Sequence, residues 1–219
     1  MNKPAVLFDM DGVTIDTEPL YTQAEIRLFG EYGVEIPKED WFLFRGCSEN
    51  TFFDLSMDRY GITEDKKVFI EKGRRYVLEE FKKNIPFIPG FKSLIKRIST
   101  KYITGLVTAS PIKSLNFIRN KINLDNYFKY ILSGEETEKN KPHPHPYTEM
   151  MLRIGVKPQN TIIIEDSILG LRSALASGGH VIARNGSVPR KKLNIAHRIV
   201  DHLDEITNDF LKNLLLDPL

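Results

Sequence analysis

The sequence predicts an α/β protein with a parallel sheet in three layers and a helical module inserted near its start. Short apolar runs of strand-forming residues, Val6-Leu7-Phe8, Tyr102 to Val107, Tyr130-Ile131-Leu132 and Ile162-Ile163-Ile164, alternate with segments of helical period. That alternation is what a parallel sheet with crossover helices requires. Several of these runs break at their carboxyl ends into polar or acidic residues, where open α/β sheets bind ligands. From Asp16 to Lys83, by contrast, helical periodicity dominates and no strand signal interrupts it.

The first run ends in Asp9-Met10-Asp11-Gly12. On a fully extended strand Asp9 and Asp11 share one face. Carboxylates that close repel each other unless a cation or proton intervenes, and a hard divalent ion such as Mg²⁺ with oxygen ligands relieves them. Gly12 lets the chain turn away, at positive φ if needed. The insert follows, with Leu20, Ala24, Ile26 and Leu28, then Phe42, Phe44, Phe52, Phe53 and Leu55, then Phe69, Ile70, Tyr76, Val77, Leu78 and Phe81. Pro37, Gly46 and Gly61 divide it into roughly four helices. The expected domains are therefore 1–15 with 84–219, and the helical insert 16–83.

At Pro86 to Gly90 the pattern returns to α/β. A helix with Phe91, Leu94, Ile95 and Ile98 on one face precedes the strand ending at Val107. In Thr108-Ala109-Ser110-Pro111, Ser110 suits an N-cap and Pro111 a first helical position. The following helix carries Ile112, Leu115, Ile118 and Ile122, and its free N–H groups favour phosphate; Thr108 would add a hydroxyl donor. Lys141 stands at a proline-stiffened helix entrance, which limits the entropy lost in aiming its ammonium. His143 and His145, alternating with prolines, read as loop residues. The isoleucine run demands a strand buried on both faces and ends in Glu165-Asp166. The helix from Leu169 to Ser177 stops at Gly178-Gly179. Val181-Ile182-Ala183 is a fifth strand, Ile199-Val200 a sixth, and Ile206, Phe210, Leu211, Leu214 and Leu215 mark a closing helix.

Composition narrows the function classes. With 219 residues, 41% of them hydrophobic, the chain can bury a full core. A net charge of +2 implies no large basic surface, so nucleic acid is not expected as a partner. Cys47 is the single cysteine, which excludes an internal disulfide and a cysteine-rich zinc site. No long apolar run or signal-like segment is visible, so a soluble, cytoplasmic protein without membrane contact is expected. A monomer is the expected state.

In a parallel sheet all the marked strand ends lie on one edge. Asp9, Asp11, Glu165 and Asp166, with Thr108 and nearby Lys141, then make a phosphoryl-transfer site: a nucleophilic carboxylate, acids for Mg²⁺, and phosphate donors. At this point the chain resembles the haloacid dehalogenase-like hydrolases, through Phe8-Asp9-Met10-Asp11-Gly12-Val13, Val107-Thr108-Ala109-Ser110, Asn140-Lys141-Pro142, and Ile164-Glu165-Asp166-Ser167 with Gly170. The insert, Asp16-Thr17-Glu18-Pro19-Leu20 and Pro89-Gly90 are similar to the β-phosphoglucomutase-like phosphatase branch, whose Rossmann-like core carries a helical cap.

The resemblance implies that Asp9 takes the phosphoryl group as an aspartyl-phosphate while Asp11 acts as general acid and base. It implies Mg²⁺ held by Asp9, the Asp11 carbonyl and Asp166, with Glu165 direct or through water, and a phosphoryl group held by Thr108, the Ala109 N–H and Lys141. True dehalogenases lack an acid at the Asp11 position, which argues against dehalogenation. Arg45 and Lys72 match places where mutase-like caps carry basic residues toward a substrate's second anionic group, and the insert is expected to close as a lid. Tyr21 stands where β-phosphoglucomutases have a histidine, so net hydrolysis of a small phosphomonoester, a sugar or polyol phosphate, is expected over sugar-phosphate mutase activity.

Overall fold

The computed structural model describes residues 3–37, 40–41 and 49–218. Arg45, Gly46 and Cys47 lie outside the described residues. Six strands form one sheet: β1 (Ala5–Phe8), β2 (Ile103–Val107), β3 (Tyr130–Leu132), β4 (Thr161–Glu165), β5 (His180–Arg184) and β6 (Arg198–Val200), in the order β3-β2-β1-β4-β5-β6. Every pairing is parallel. This order reverses direction at β1, and such a switch point opens a crevice at the strands' carboxyl ends.

The central strand explains the layers. All four residues of β1 are buried, as a strand covered on both faces must be. Ala5 and Leu7 point into one apolar cluster with Tyr147, Met150 and Met151 of α6 (His145–Ile154) and Leu171 of α7 (Ile168–Ala176). Phe8 faces the opposite way, onto Phe91 of α4 (Phe91–Ile98) at 5.9 Å and onto Phe128 at 5.6 Å. The period of two in the strand thus feeds two helical layers. Helix α5 (Ile112–Ile122) buries Leu115 and Ile118, and the short closing helix α8 (Asn208–Leu214) buries Leu211 and Leu214.

The chain divides into two compact units, one of residues up to Asp16 and from Pro86 onward, the other Thr17–Ile85. The second unit holds α1 (Glu18–Gly30), α2 (Glu49–Tyr60) and α3 (Lys66–Lys83) among the described residues. Its core is Leu28, Phe29, Phe52, Phe53, Ile62 and Phe69, where Phe29 and Phe69 meet edge to face at 5.7 Å. Asp65 caps α3 by accepting from Lys67 N at 2.9 Å and Val68 N at 3.2 Å, which satisfies two donors the helix leaves open. No helix among the described residues is long and apolar enough to cross a membrane.

Candidate active site

Strand register brings the marked residues together. Phe8 pairs with Leu106 on one side and Ile164 on the other, so Asp9 follows level with Val107 and Glu165. Beyond Phe8 the chain folds into a tight loop. Thr14 N and Ile15 N both donate to Met10 O, at 2.9 and 3.0 Å, and Thr14 Oγ1 donates to Asp9 O at 2.7 Å. Gly12 sits in this loop at φ 76°, a left-handed conformation, and a Cβ there would overlap the Asp166 carboxylate. Only glycine fits both demands.

Lys141 enters the centre of the site. Its ammonium donates to Asp9 Oδ1, to Glu165 Oε1 at 2.7 Å and to Val107 O at 3.2 Å. That engages all three of its donors, and the side chain is only 6% exposed. Burial pulls the ammonium toward the neutral form, but the Asp9 and Glu165 carboxylates outweigh it and hold Lys141 protonated, well above the usual lysine range. Glu165 is fully buried. Its Oε1 also accepts from Tyr147 OH at 2.7 Å, and its Oε2 accepts from Asp166 N at 3.0 Å, Ser167 N at 3.3 Å and Ser167 Oγ at 3.2 Å. A Cβ on Gly170 would overlap this carboxylate, so glycine is what lets α7 approach it.

On the other flank, Thr108 is buried and its Oγ1 accepts from Ser110 N at 3.0 Å, leaving the hydroxyl hydrogen to donate elsewhere. The Ala109 N–H donates to no atom of the described residues. Ser110 was expected to cap the following helix, but Pro111 occupies that position without a side-chain cap bond. The Ser110 hydroxyl instead donates to Asp11 Oδ2 at 3.1 Å. With its N–H already turned back to Thr108, the residue presents its hydroxyl to the acid loop.

Oxygens of Asp9, Glu165 and Asp166 lie within 4.8 Å of one another, and all three residues are buried, so this group could hold a metal ion. Burial pushes Asp9 well above the usual carboxylate range; the neighbouring Glu165, Asp166 and Asp11 charges add to that, while Lys141 opposes it. Burial and the Glu165 charge push Asp166 up to about 7, against a hydrogen bond from Ser187 Oγ. Carboxylates crowded into that state are a fitting donor set for a hard cation. Among the described residues Asp9 Oδ2 and Asp166 Oδ1 accept no hydrogen bond, whereas both Glu165 oxygens are engaged. Asp9 and Asp166 therefore have oxygens available for an ion, and Glu165 is the anchor behind Lys141.

A model of the family described as haloacid dehalogenase-like hydrolase matches residues 6–184. The chain belongs to the haloacid dehalogenase-like hydrolases. The phosphorylated carbohydrates phosphatase of Thermotoga maritima is 30% identical to this hydrolase over 179 residues, covering 80% of this chain and 81% of that protein. Hexitol phosphatase B of Escherichia coli strain K12 is 27% identical over 176 residues, 79% of each. A solved Thermotoga maritima structure, provisionally named β-phosphoglucomutase, superposes with a TM-score of 0.79 at 25% identity, over 99% of this chain and 100% of that one.

The other residues expected at the site of this hydrolase lie in the helical unit. Tyr21, in α1, packs edge to face on Phe81 of α3 at 5.6 Å. Lys72 does not present a free ammonium. It donates to Tyr32 OH at 2.9 Å and to Glu64 Oε2 at 3.3 Å, and pairs with Glu31 at 3.3 Å. The two carboxylates and the phenol occupy the charge that was expected to read substrate. Two contributors escaped sequence reasoning. Tyr147 is buried among apolar residues on the inner face of α6, and Ser187 lies in a loop without a motif. The polar tip of a tyrosine next to the Lys141 entrance was the only hint for the first.

Proposed function

We propose that this hydrolase is a Mg²⁺-dependent phosphatase of a small phosphomonoester, a phosphorylated sugar or polyol, working through an aspartyl-phosphate on Asp9. The enzyme is a phosphoric monoester hydrolase; the substrate class is our inference from the carbohydrate and hexitol phosphatases to which the chain is similar. The observation that carries the reading is the convergence on Asp9. A buried carboxylate stands beside a protonated lysine, and the end of the neighbouring strand β2 is followed by a hydroxyl with a hydrogen to give and an N–H that no described residue accepts. Such donors stabilise charge on a transferring phosphoryl group.

In the first step an Asp9 carboxylate oxygen attacks phosphorus and the bond from phosphorus to the sugar oxygen breaks. The Asp11 carboxyl gives that leaving oxygen its proton. In the second step Asp11 takes a proton from a water that attacks the same phosphorus, inorganic phosphate departs and Asp9 is regenerated. Thr108, the Ala109 N–H and Lys141 hold the equatorial oxygens in both steps. Asp9, Asp166 and the Asp11 main-chain carbonyl would hold Mg²⁺, which when bound neutralises charge on the phosphoryl group. Ser110, donating to Asp11, orients the acid for both transfers.

The test is a panel of sugar and polyol phosphates with Mg²⁺, read as free phosphate. It includes β-glucose 1-phosphate with catalytic glucose 1,6-bisphosphate. Phosphate release from a panel member supports the reading. Rapid glucose 6-phosphate with negligible phosphate would make the enzyme a mutase instead.

A further inference from the structure

Tyr147 is fully buried and packs among Leu7, Val107, Met150 and Leu171. Its hydroxyl nevertheless reaches Glu165 Oε1 at 2.7 Å, the oxygen that Lys141 Nζ also reaches at 2.7 Å. The same ammonium lies 5.1 Å from the centre of the Tyr147 ring, within cation–π range. One side chain thus touches both members of the buried pair.

We propose, on the phosphatase reading given above, that Tyr147 is a positioning residue that aims the Lys141 ammonium at the phosphoryl group. The ammonium has three donors, spent on Asp9, Glu165 and the Val107 carbonyl. When Asp9 is attacking or phosphorylated, the donor it shared becomes the one that meets the phosphoryl oxygens. The other two must stay fixed for that donor to be aimed. Val107 O belongs to β2, a strand paired on both sides. Glu165 Oε2 is tied to Asp166 N, Ser167 N and Ser167 Oγ. Among the described residues, Oε1 accepts from Lys141 itself and from the Tyr147 hydroxyl alone. Without that hydroxyl, Oε1 keeps a single donor among the described residues and draws the ammonium toward itself and away from Asp9.

A contact of this kind acts mainly where charge develops, so its loss should lower kcat rather than raise KM. The experiment is Tyr147→Phe in the intact enzyme at saturating Mg²⁺, with the best substrate of the panel and with vanadate as inhibitor. We expect kcat to fall about tenfold, KM and half-saturating Mg²⁺ to stay within about twofold, and vanadate inhibition to weaken in parallel with kcat. Wild-type kcat in a folded variant overturns the inference, as does a loss shared equally by KM and the Mg²⁺ requirement, which marks general loosening. If Tyr147→Phe does not fold, 3-fluorotyrosine placed at position 147 keeps the shape and alters donor strength. A kcat changed at least twofold with KM fixed then supports the assignment, and an unchanged kcat overturns it. A wild-type enzyme that releases no phosphate from any panel member defeats the phosphatase reading itself. An active wild type with an equally active variant defeats only the role of Tyr147.

Discussion

Replacing Gly170 by alanine sets two effects against each other, and the packing around Glu165 decides the sign. Gly170 lies inside α7, where alanine is ordinarily worth about 1 kcal/mol of added stability. Here the new methyl would overlap both oxygens and the carboxyl carbon of Glu165. To restore carbon–oxygen contact the carboxylate must retreat by about 1 Å or more. That carries its 2.7 Å bond to Lys141 beyond the roughly 3.5 Å limit of a hydrogen bond. Breaking a buried ion pair costs about 3–5 kcal/mol. Net of the helix gain, Gly170→Ala should destabilise the enzyme by about 2–4 kcal/mol, or roughly 4–16 °C in Tm for a chain of this size. Because Lys141 loses its anchor, kcat should fall at least about tenfold. Calorimetry and a phosphate-release assay on the purified variant read both. A variant as stable as wild type with kcat intact would show that Glu165 and α7 are not in the tight contact on which this reasoning depends.

Asp9→Asn should abolish turnover while leaving circular dichroism unchanged, since an amide cannot form the acyl-phosphate; substantial phosphate release would remove Asp9 as nucleophile. Activity should vanish with EDTA and return with Mg²⁺, and Asp166→Ala should raise the Mg²⁺ needed by about tenfold or more; full activity after chelation would assign the acids another task. Lys72→Ala should lower Tm and leave KM within about twofold, because its partners are Tyr32, Glu31 and Glu64; a steep rise in KM would return Lys72 to the substrate. Burial pushes His180 and His197 below the usual histidine value, so the unfolded chain binds the acid protons more readily. Stability should therefore fall as pH drops below about 6.5. His180→Gln should flatten that acid limb of Tm against pH, and identical slopes would refute the attribution.

What could be read in the sequence was whatever a strand places by its own direction. Asp9, Thr108, Glu165 and Asp166 end runs whose buried character is plain in their residues, and parallel pairing does the rest. Lys141 was legible because its prolines mark a helix entrance. The hydroxyl of Ser110 was read for the wrong partner: the local N-cap rule competes with a contact to Asp11, 99 residues away, that no local rule contains. Tyr147 fits the apolar period of α6, with Met150, Met151 and Ile154, and nothing local marks its polar tip for a carboxylate on another strand. Lys72 was read from its place in a motif, while its actual partners, Glu31 and Glu64, come from two other stretches of the helical unit. Side chains whose meaning depends on what another element brings opposite them stay hidden until the pairing is known.

The place of β1 in the sheet has a consequence for how the protein comes into being. Its neighbours, β2 and β4, both lie far along the chain, and Lys141 is 132 residues beyond Asp9. On a ribosome adding roughly 5–20 residues per second, β1 waits many seconds for its partners, and the helical unit is completed in the interval. Until then Val6, Leu7 and Phe8 have no sheet to enter, so this apolar strand is exposed longer than the strands made after it. Contacts of such separation also make folding slow. Nascent chains halted before residue 165 should therefore carry a finished helical unit, an orphaned first strand that attracts chaperones, and no assembled catalytic centre.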